Sequence, residues 1–263
     1  MKKINNPFLL SGFSGAQYFC NRKKELNFLN ENLQNERNTV LYSWRRFGKT
    51  ALIYNFLQSA ESEKKTKTIY IDLLATRTIQ DAIELIAEAV YKKFGSTKSG
   101  LNQQLLQLLG NLGIQINLDP FSGLPSLSFQ IQQNKSDLNS LLSIGEFLRN
   151  RKEKIVVAID EFQQITDYKE NAEAIFRNWV QTFPEIRFIF SGSHRHLMSS
   201  MFLEKNRPFY KSAQLIELQA IELGDYENFI LNHFKKAQKT ISKEQITYIY
   251  NWSRSQTYTV QLI

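Results

Sequence analysis

The chain has 263 residues, of which 42% are hydrophobic and 22% charged, enough apolar material for a large core and too much for a disordered tail. Its single cysteine, Cys20, excludes an internal disulfide, and no apolar stretch approaches the roughly 18 residues of a membrane span, so a cytoplasmic protein is expected. An excess of 33 basic over 25 acidic residues gives a net charge of +8, which favours a polyanion partner such as DNA; the lysines are scattered, however, without one long basic arm, and a solvated basic surface is the preferred reading.

Leu26, Phe28, Leu29 and Leu33 recur near helical spacing and predict a first helix. Thr39-Val40-Leu41-Tyr42 then reads as a strand, followed by Ser43-Trp44-Arg45-Arg46-Phe47-Gly48-Lys49-Thr50 and a helical pattern opening with Ala51. Strand, tight loop and helix in that order form a phosphate-binding loop: backbone N–H groups face the anion, a lysine meets the β- and γ-phosphates, and a hydroxyl at the helix start binds Mg2+. Lys49 and Thr50 fill the last two roles. Ser43 stands where such loops open with glycine, so its φ should be negative or the turn strained.

Thr68 to Leu73 predicts a second strand and Ile79 to Phe94 an amphipathic helix with Ile83, Ile86, Ala87 and Val90 on one face. Residues 95–135 read as an insertion holding a helix, Leu101 to Leu109, and a small hairpin from 113–116 and 126–129. A helix over Asp137 to Asn150 leads to Lys154-Ile155-Val156-Val157-Ala158-Ile159-Asp160-Glu161, a continuous apolar run ending in two carboxylates. That is a Walker B pattern: a strand covered on both faces, with Asp160 in the Mg2+ shell and Glu161 polarising a water.

After a helix over Ala172 to Phe183, Arg187 to Phe190 forms a third buried strand ending in Ser191-Gly192-Ser193. Ser191 or Ser193 suits a γ-phosphate sensor. Arg195 can reach a phosphate or stay solvated, and His194 and His196 read as surface groups. Strands alternating with helices imply a parallel, doubly wound α/β sheet flanked by helices.

These motifs together resemble the bacterial and archaeal P-loop ATPases of the AAA-like and STAND-like group. The resemblance rests on Phe19/Arg22/Glu25/Leu26 as an opening motif, the Arg-Arg-x-Gly-Lys-Thr loop at Arg45 to Thr50, Asp160 to Gln163, and Ser191 to Ser193. Met201-Phe202 and Arg207-Pro208-Phe209-Tyr210 are similar to the Bacteroidetes branch of that group. It implies an ATP- and ADP-binding, slowly hydrolysing switch with Mg2+, or an ATP-latched binding module with little turnover, in which Phe19 and Arg22 join the nucleotide site and Arg195 and Arg207 are the arginine-finger candidates, Arg207 the better placed to reach a second copy by self-association. It also implies a core over residues 1–220 and a helical lid over 221–263, with Ser255-Gln256-Thr257-Tyr258 replacing the proline-bearing segment that usually meets adenine. Thr259 to Ile263 carries no helix stop, so the lid is expected to be truncated and the region that engages DNA or a protein partner to lie beyond it.

Overall fold

The computed structural model describes residues 6–10, 12–63, 66–97, 100–118, 125–129, 136–169 and 171–262. Helix α1 (Lys23–Gln34) precedes β1 (Thr39–Tyr42), whose end passes through the loop into α2 (Lys49–Glu63). Strand β2 (Thr66–Asp72) and α3 (Ile79–Phe94) follow. Thr78 and Asp81 form a reciprocal capping box that fixes where α3 begins.

The segment after α3 holds β3 (Ser96–Thr97), β4 (Gly100–Leu101), α4 (Gln103–Asn111) and the antiparallel hairpin β5 (Ile114–Leu118) and β6 (Pro125–Phe129). The hairpin pairs Ile114 with Phe129 and Ile116 with Leu127, the two alternating stretches of the sequence. Part of the expected insertion, residues 98–99, 119–124 and 130–135, lies outside the described residues.

Then come α5 (Asp137–Arg149), β7 (Lys154–Asp160), a 3-10 turn (Phe162–Asp167), α6 (Ala172–Thr182), β8 (Arg187–Gly192), α7 (Arg195–Leu203) and β9 (Gln214–Glu217). Five strands form one sheet in the order β2-β7-β8-β1-β9, every pair parallel. β9 has no counterpart among the sequence expectations.

Both faces of this sheet are covered, and the two-residue side-chain period divides each strand between them. Val156, Ala158, Leu41 and Ile189 join Leu29, Leu33, Leu52, Ile53 and Phe56 of α1 and α2 on one face. Ile155, Val157, Ile159, Val40, Phe188 and Phe190 face α3, α5, α6 and α7 on the other. An aromatic block behind β7 includes Phe162, fully buried and 4.5 Å centroid to centroid from Phe190. Each such buried ring contributes about 1.5–3 kcal/mol, so the backbone directly after Glu161 is anchored in the core.

Helices α8 (Leu223–Lys236), α9 (Lys243–Trp252) and α10 (Thr257–Leu262) build a third core around Tyr226, Ile230, Ile246 and Val260, joined by Cys20. Phe8 packs edge-on against Phe229 and His233, and His233 Nε2 lies 3.1 Å from the Gln17 carbonyl. The segment before α1 is thereby clamped to these helices. No helix among the described residues is long and apolar enough to cross a membrane.

Candidate functional site

The carboxyl ends of β1, β7 and β8 meet where the chain order of the sheet reverses, the place where open α/β sheets bind ligands. A cleft of about 500 Å³ opens there, lined by the polar groups of Arg45 to Thr50, Glu161 and Ser193 and by the apolar side chains of Leu9, Phe13, Phe19 and Ile221. Its lining combines cations and hydroxyls that suit phosphates with apolar side chains that suit a flat base. Phe13 and Phe19 meet edge to face at 5.8 Å to form part of the apolar wall.

In the loop, Arg46 (φ 69°) and Gly48 (φ 85°) take the left-handed turns that create an anion-binding concavity, while Ser43 keeps negative φ, so no glycine is needed there. Ser43 instead contributes its hydroxyl. Lys49 Nζ donates to Ser43 Oγ at 3.2 Å and to the Trp44 carbonyl at 3.3 Å. Lys49 is 6% exposed; burial lowers its pKa and Arg45 acts the same way, against the opposing pull of Glu161 and Asp160. A buried ammonium held only by neutral oxygens gains from an arriving phosphate.

Thr50 Oγ1 donates to Asp160 Oδ2 at 2.8 Å, tying the loop helix to the end of β7. Asp160, 2% exposed, also accepts from Tyr70 OH at 3.0 Å on Oδ2 and from the Glu161 N–H at 3.0 Å on Oδ1. Asp72, its register partner on β2, has a raised pKa from burial, with Asp160 and Glu161 adding to it. One carboxylate beside one hydroxyl is the hard-oxygen set that Mg2+ uses when it is shared with substrate phosphates.

Glu161 has φ 52°, a left-handed conformation unfavourable to most side chains, and the buried Phe162 and the 3-10 turn hold it there. Its Oε2 accepts from Ser193 Oγ at 2.7 Å and Gln163 Nε2 at 2.5 Å. A carboxylate so oriented keeps lone pairs free for a water at the cleft. A Cβ on Gly192 would fall 2.3 Å from Gln163 Oε1 and 2.6 Å from Met198 Sδ, so a larger residue there displaces both side chains.

The other expected residues divide. Phe19 and Arg22 line the cleft, but the Arg22 guanidinium is spent on protein oxygens: Glu25 at 2.9 Å, the Gln219 carbonyl at 2.7 Å and the Phe47 carbonyl at 3.0 Å. Ser191 is fully buried, below the cleft rather than in it. Trp44 and Arg195 line a neighbouring depression, where Arg195 pairs with Glu217 and lies 5.0 Å over the exposed Trp44 ring; His194 and His196 flank it, exposed. Arg207 sits away from the cleft, 3.2 Å from Glu173 of its own chain.

Sequence reasoning missed Tyr70, the orienting contact of Gln163 and the wall of Leu9, Leu10 and Phe13; Tyr258, expected in the lid near the base, closes on the loop. Tyr258 N–H donates to the Arg46 carbonyl at 3.1 Å, with the Arg46 guanidinium 4.9 Å over the Tyr258 ring. Cys20 also lines the cleft, its thiol pushed up to about 12 chiefly by burial.

Comparison with known proteins places this geometry among nucleotide-binding folds. Residues 19–263 match the profile of an ATPase domain predominantly from Archaea. Two uncharacterized ATP-binding proteins of Methanocaldococcus jannaschii are 25% identical over 159 residues and 26% identical over 170, covering 59% and 60% of this chain but 41% and 46% of theirs. The chain thus spans less than half the length of these curated relatives. Among solved structures, the Walker-type ATPase of Pyrococcus abyssi superposes with a TM-score of 0.66 at 20% identity, over 97% of this chain and 69% of that one. The Aeropyrum pernix ORC1 protein in complex with DNA gives 0.57 at 15% identity, over 88% and 54%. At these identities the two structures show a shared P-loop fold.

Proposed function

Because the chain belongs to the family of ATPase domains found predominantly in Archaea, we propose that it hydrolyses ATP in the cleft between the loop and the α8–α10 helices and uses the nucleotide as a conformational switch. The observation that carries this reading is the hydrogen-bonded chain from Thr50 to Asp160 to the Glu161 backbone, ending on the Glu161 carboxylate oriented by Ser193 and Gln163. Thr50 and Asp160 would hold Mg2+, whose charge offsets that of the phosphates. Lys49 leaves Ser43 and Trp44 for the β- and γ-phosphates, Glu161 orients a water in line with the γ-phosphate, and Ser193 keeps that carboxylate in place. The apolar side chains of the cleft receive the base.

The Arg46–Tyr258 contacts support the switch. Any rearrangement of the loop around phosphate moves the backbone that α10 is bonded to, and with it the lid core around Tyr226. Residues 1–220 then act as the core and 221–263 as the lid. Calorimetry of ATP and ADP against wild type and Lys49→Ala tests the site: the variant should lose at least tenfold in affinity, since a charge-assisted bond to phosphate is worth about 1.5–3 kcal/mol. Unchanged affinity would remove Lys49 from the site.

DNA is a second reading for the partner, supported by the +8 charge and by the DNA complex of the ORC1 relative. Self-association would be a further arrangement, in which Arg207 first has to leave Glu173 of its own chain. Turnover measured with and without duplex, across protein concentrations, separates these partners.

A further inference from the structure

We propose that Tyr70 is a positioning residue for the metal end of this site: its hydroxyl holds the Asp160 carboxylate in the orientation that a divalent cation needs when Thr50 is no longer bonded to it. The proposal rests on the nucleotide reading above and adds a residue that no P-loop motif contains.

The geometry follows from the sheet. Tyr70 on β2 is in register with Ala158 on β7, and Asp160, two residues further along, is on the same face. A diagonal neighbour across parallel strands is within reach of a long aromatic side chain, and Ala158 leaves the intervening space free. That face is the one covered by α2, which begins in the phosphate loop; Tyr70 packs into its apolar layer. Thr50 and Tyr54 stand four residues apart on α2, hence on one side of it. Thr50 donates to Asp160 Oδ2 at 2.8 Å, and the Tyr54 ring lies against Tyr70 with centroids 4.5 Å apart. One helix therefore supplies the first donor to Asp160 and, through Tyr54, the packing that aims the second, Tyr70 OH, at the same oxygen from 3.0 Å.

Oδ2 thus has two hydroxyl donors, while Oδ1 has the Glu161 N–H. Asp160 is 2% exposed, and a buried carboxylate that loses a donor is costly or reorients. The two hydroxyls are not equivalent. Thr50 is the group the loop offers to a cation, so its bond to Asp160 is lost on loading. Tyr70, on an edge strand outside the loop, keeps its bond. It leaves Asp160 with one donor on each oxygen and its remaining lone pairs directed outward.

The test compares wild type with Tyr70→Phe, which keeps the ring and its contact with Tyr54 and deletes only the hydroxyl. ADP affinity is measured by calorimetry in chelator and again with Mg2+, and the electron paramagnetic resonance of Mn2+ in the ADP complex reports the metal's surroundings. The expected result is an unchanged affinity in chelator, a Mg2+-linked gain smaller by about tenfold, as for loss of one hydrogen bond to a charged group, and a broadened Mn2+ spectrum. A thermal melt within a few degrees of wild type shows that the variant is folded. An undiminished Mg2+-linked gain with an unaltered Mn2+ spectrum would overturn the proposal, as would an equal loss with and without metal, which would make Tyr70 a packing residue only. If wild type itself gains nothing from Mg2+, the reading of Thr50 and Asp160 as metal ligands fails instead, a different outcome from Tyr70→Phe matching an Mg2+-responsive wild type.

Discussion

Replacing Arg22 with alanine separates two accounts of the same residue. Its side chain is 4% exposed, and its guanidinium joins Glu25, the Gln219 carbonyl beyond β9 and the Phe47 carbonyl of the phosphate loop. Each bond from a charged donor to such a half-buried carbonyl contributes about 1.5–3 kcal/mol. The two carbonyl bonds therefore sum to about 3–6 kcal/mol, and water entering the space should return part of it, leaving an expected loss near 3 kcal/mol. Arg22 also has φ 71°, a conformation that costs a non-glycine residue about 1–3 kcal/mol and is kept only by such contacts. Chemical denaturation should show this loss in Arg22→Ala, and about half of it in Arg22→Lys, which keeps the charge but not the fork. ADP affinity should fall about tenfold with it, because the carbonyl of Phe47 adjoins Gly48. Full stability with nucleotide binding abolished would refute the reasoning and return Arg22 to direct contact with phosphate.

Gly192→Ala should lower turnover about tenfold to a hundredfold with little change in ATP affinity, because displacing Gln163 misplaces Glu161 by a fraction of an ångström to an ångström; equal turnover in a steady-state assay would show that Gln163 does not orient the carboxylate. His233 has a lowered pKa, chiefly from burial. Its neutral form is the one the fold favours, so stability is full above the ordinary histidine pKa of about 6.5 and is lost as pH falls below it. Melts of wild type from pH 8 to 5 should show the decline and His233→Gln should flatten it; parallel profiles would contradict the assignment. Nucleotide binding should change the fluorescence of Trp44, whose carbonyl gives up Lys49 Nζ, and Trp44→Phe should remove the change.

The sheet was legible wherever a strand is apolar along its length and ends in chemistry: β1 before the loop, β7 before Asp160 and β8 before Ser193. Helix α3 has the bounds that its periodicity implies, since Thr78 and Asp81 cap it locally. β9 was not legible. Its four residues pair only with β1, at the sheet edge, and its two apolar residues, Leu215 and Ile216, are only half-buried and flanked by Gln214 and Glu217, too short a run to mark a strand. In the site, Lys49, Thr50, Asp160 and Glu161 were readable because fixed spacing on a strand-loop-helix places them. The roles of Arg22 and Tyr70 depend on partners 25 and 90 residues away. A cation beside a phosphate loop looks like a phosphate ligand until the Phe47 carbonyl is seen under it, and a tyrosine in a strand looks like core until Asp160 is seen beside its hydroxyl.

The central claim is that Glu161 orients the water attacking ATP in this cleft, and single-turnover hydrolysis of ATP with Mg2+ by wild type and Glu161→Gln tests it most directly. Glutamine preserves the size of the side chain and can still accept from Ser193. The account predicts ATP bound by the variant as tightly as by wild type, with hydrolysis slower by about 10²–10⁴-fold. Equal rates in the two proteins, or a wild type that binds ATP and never cleaves it, would contradict the account.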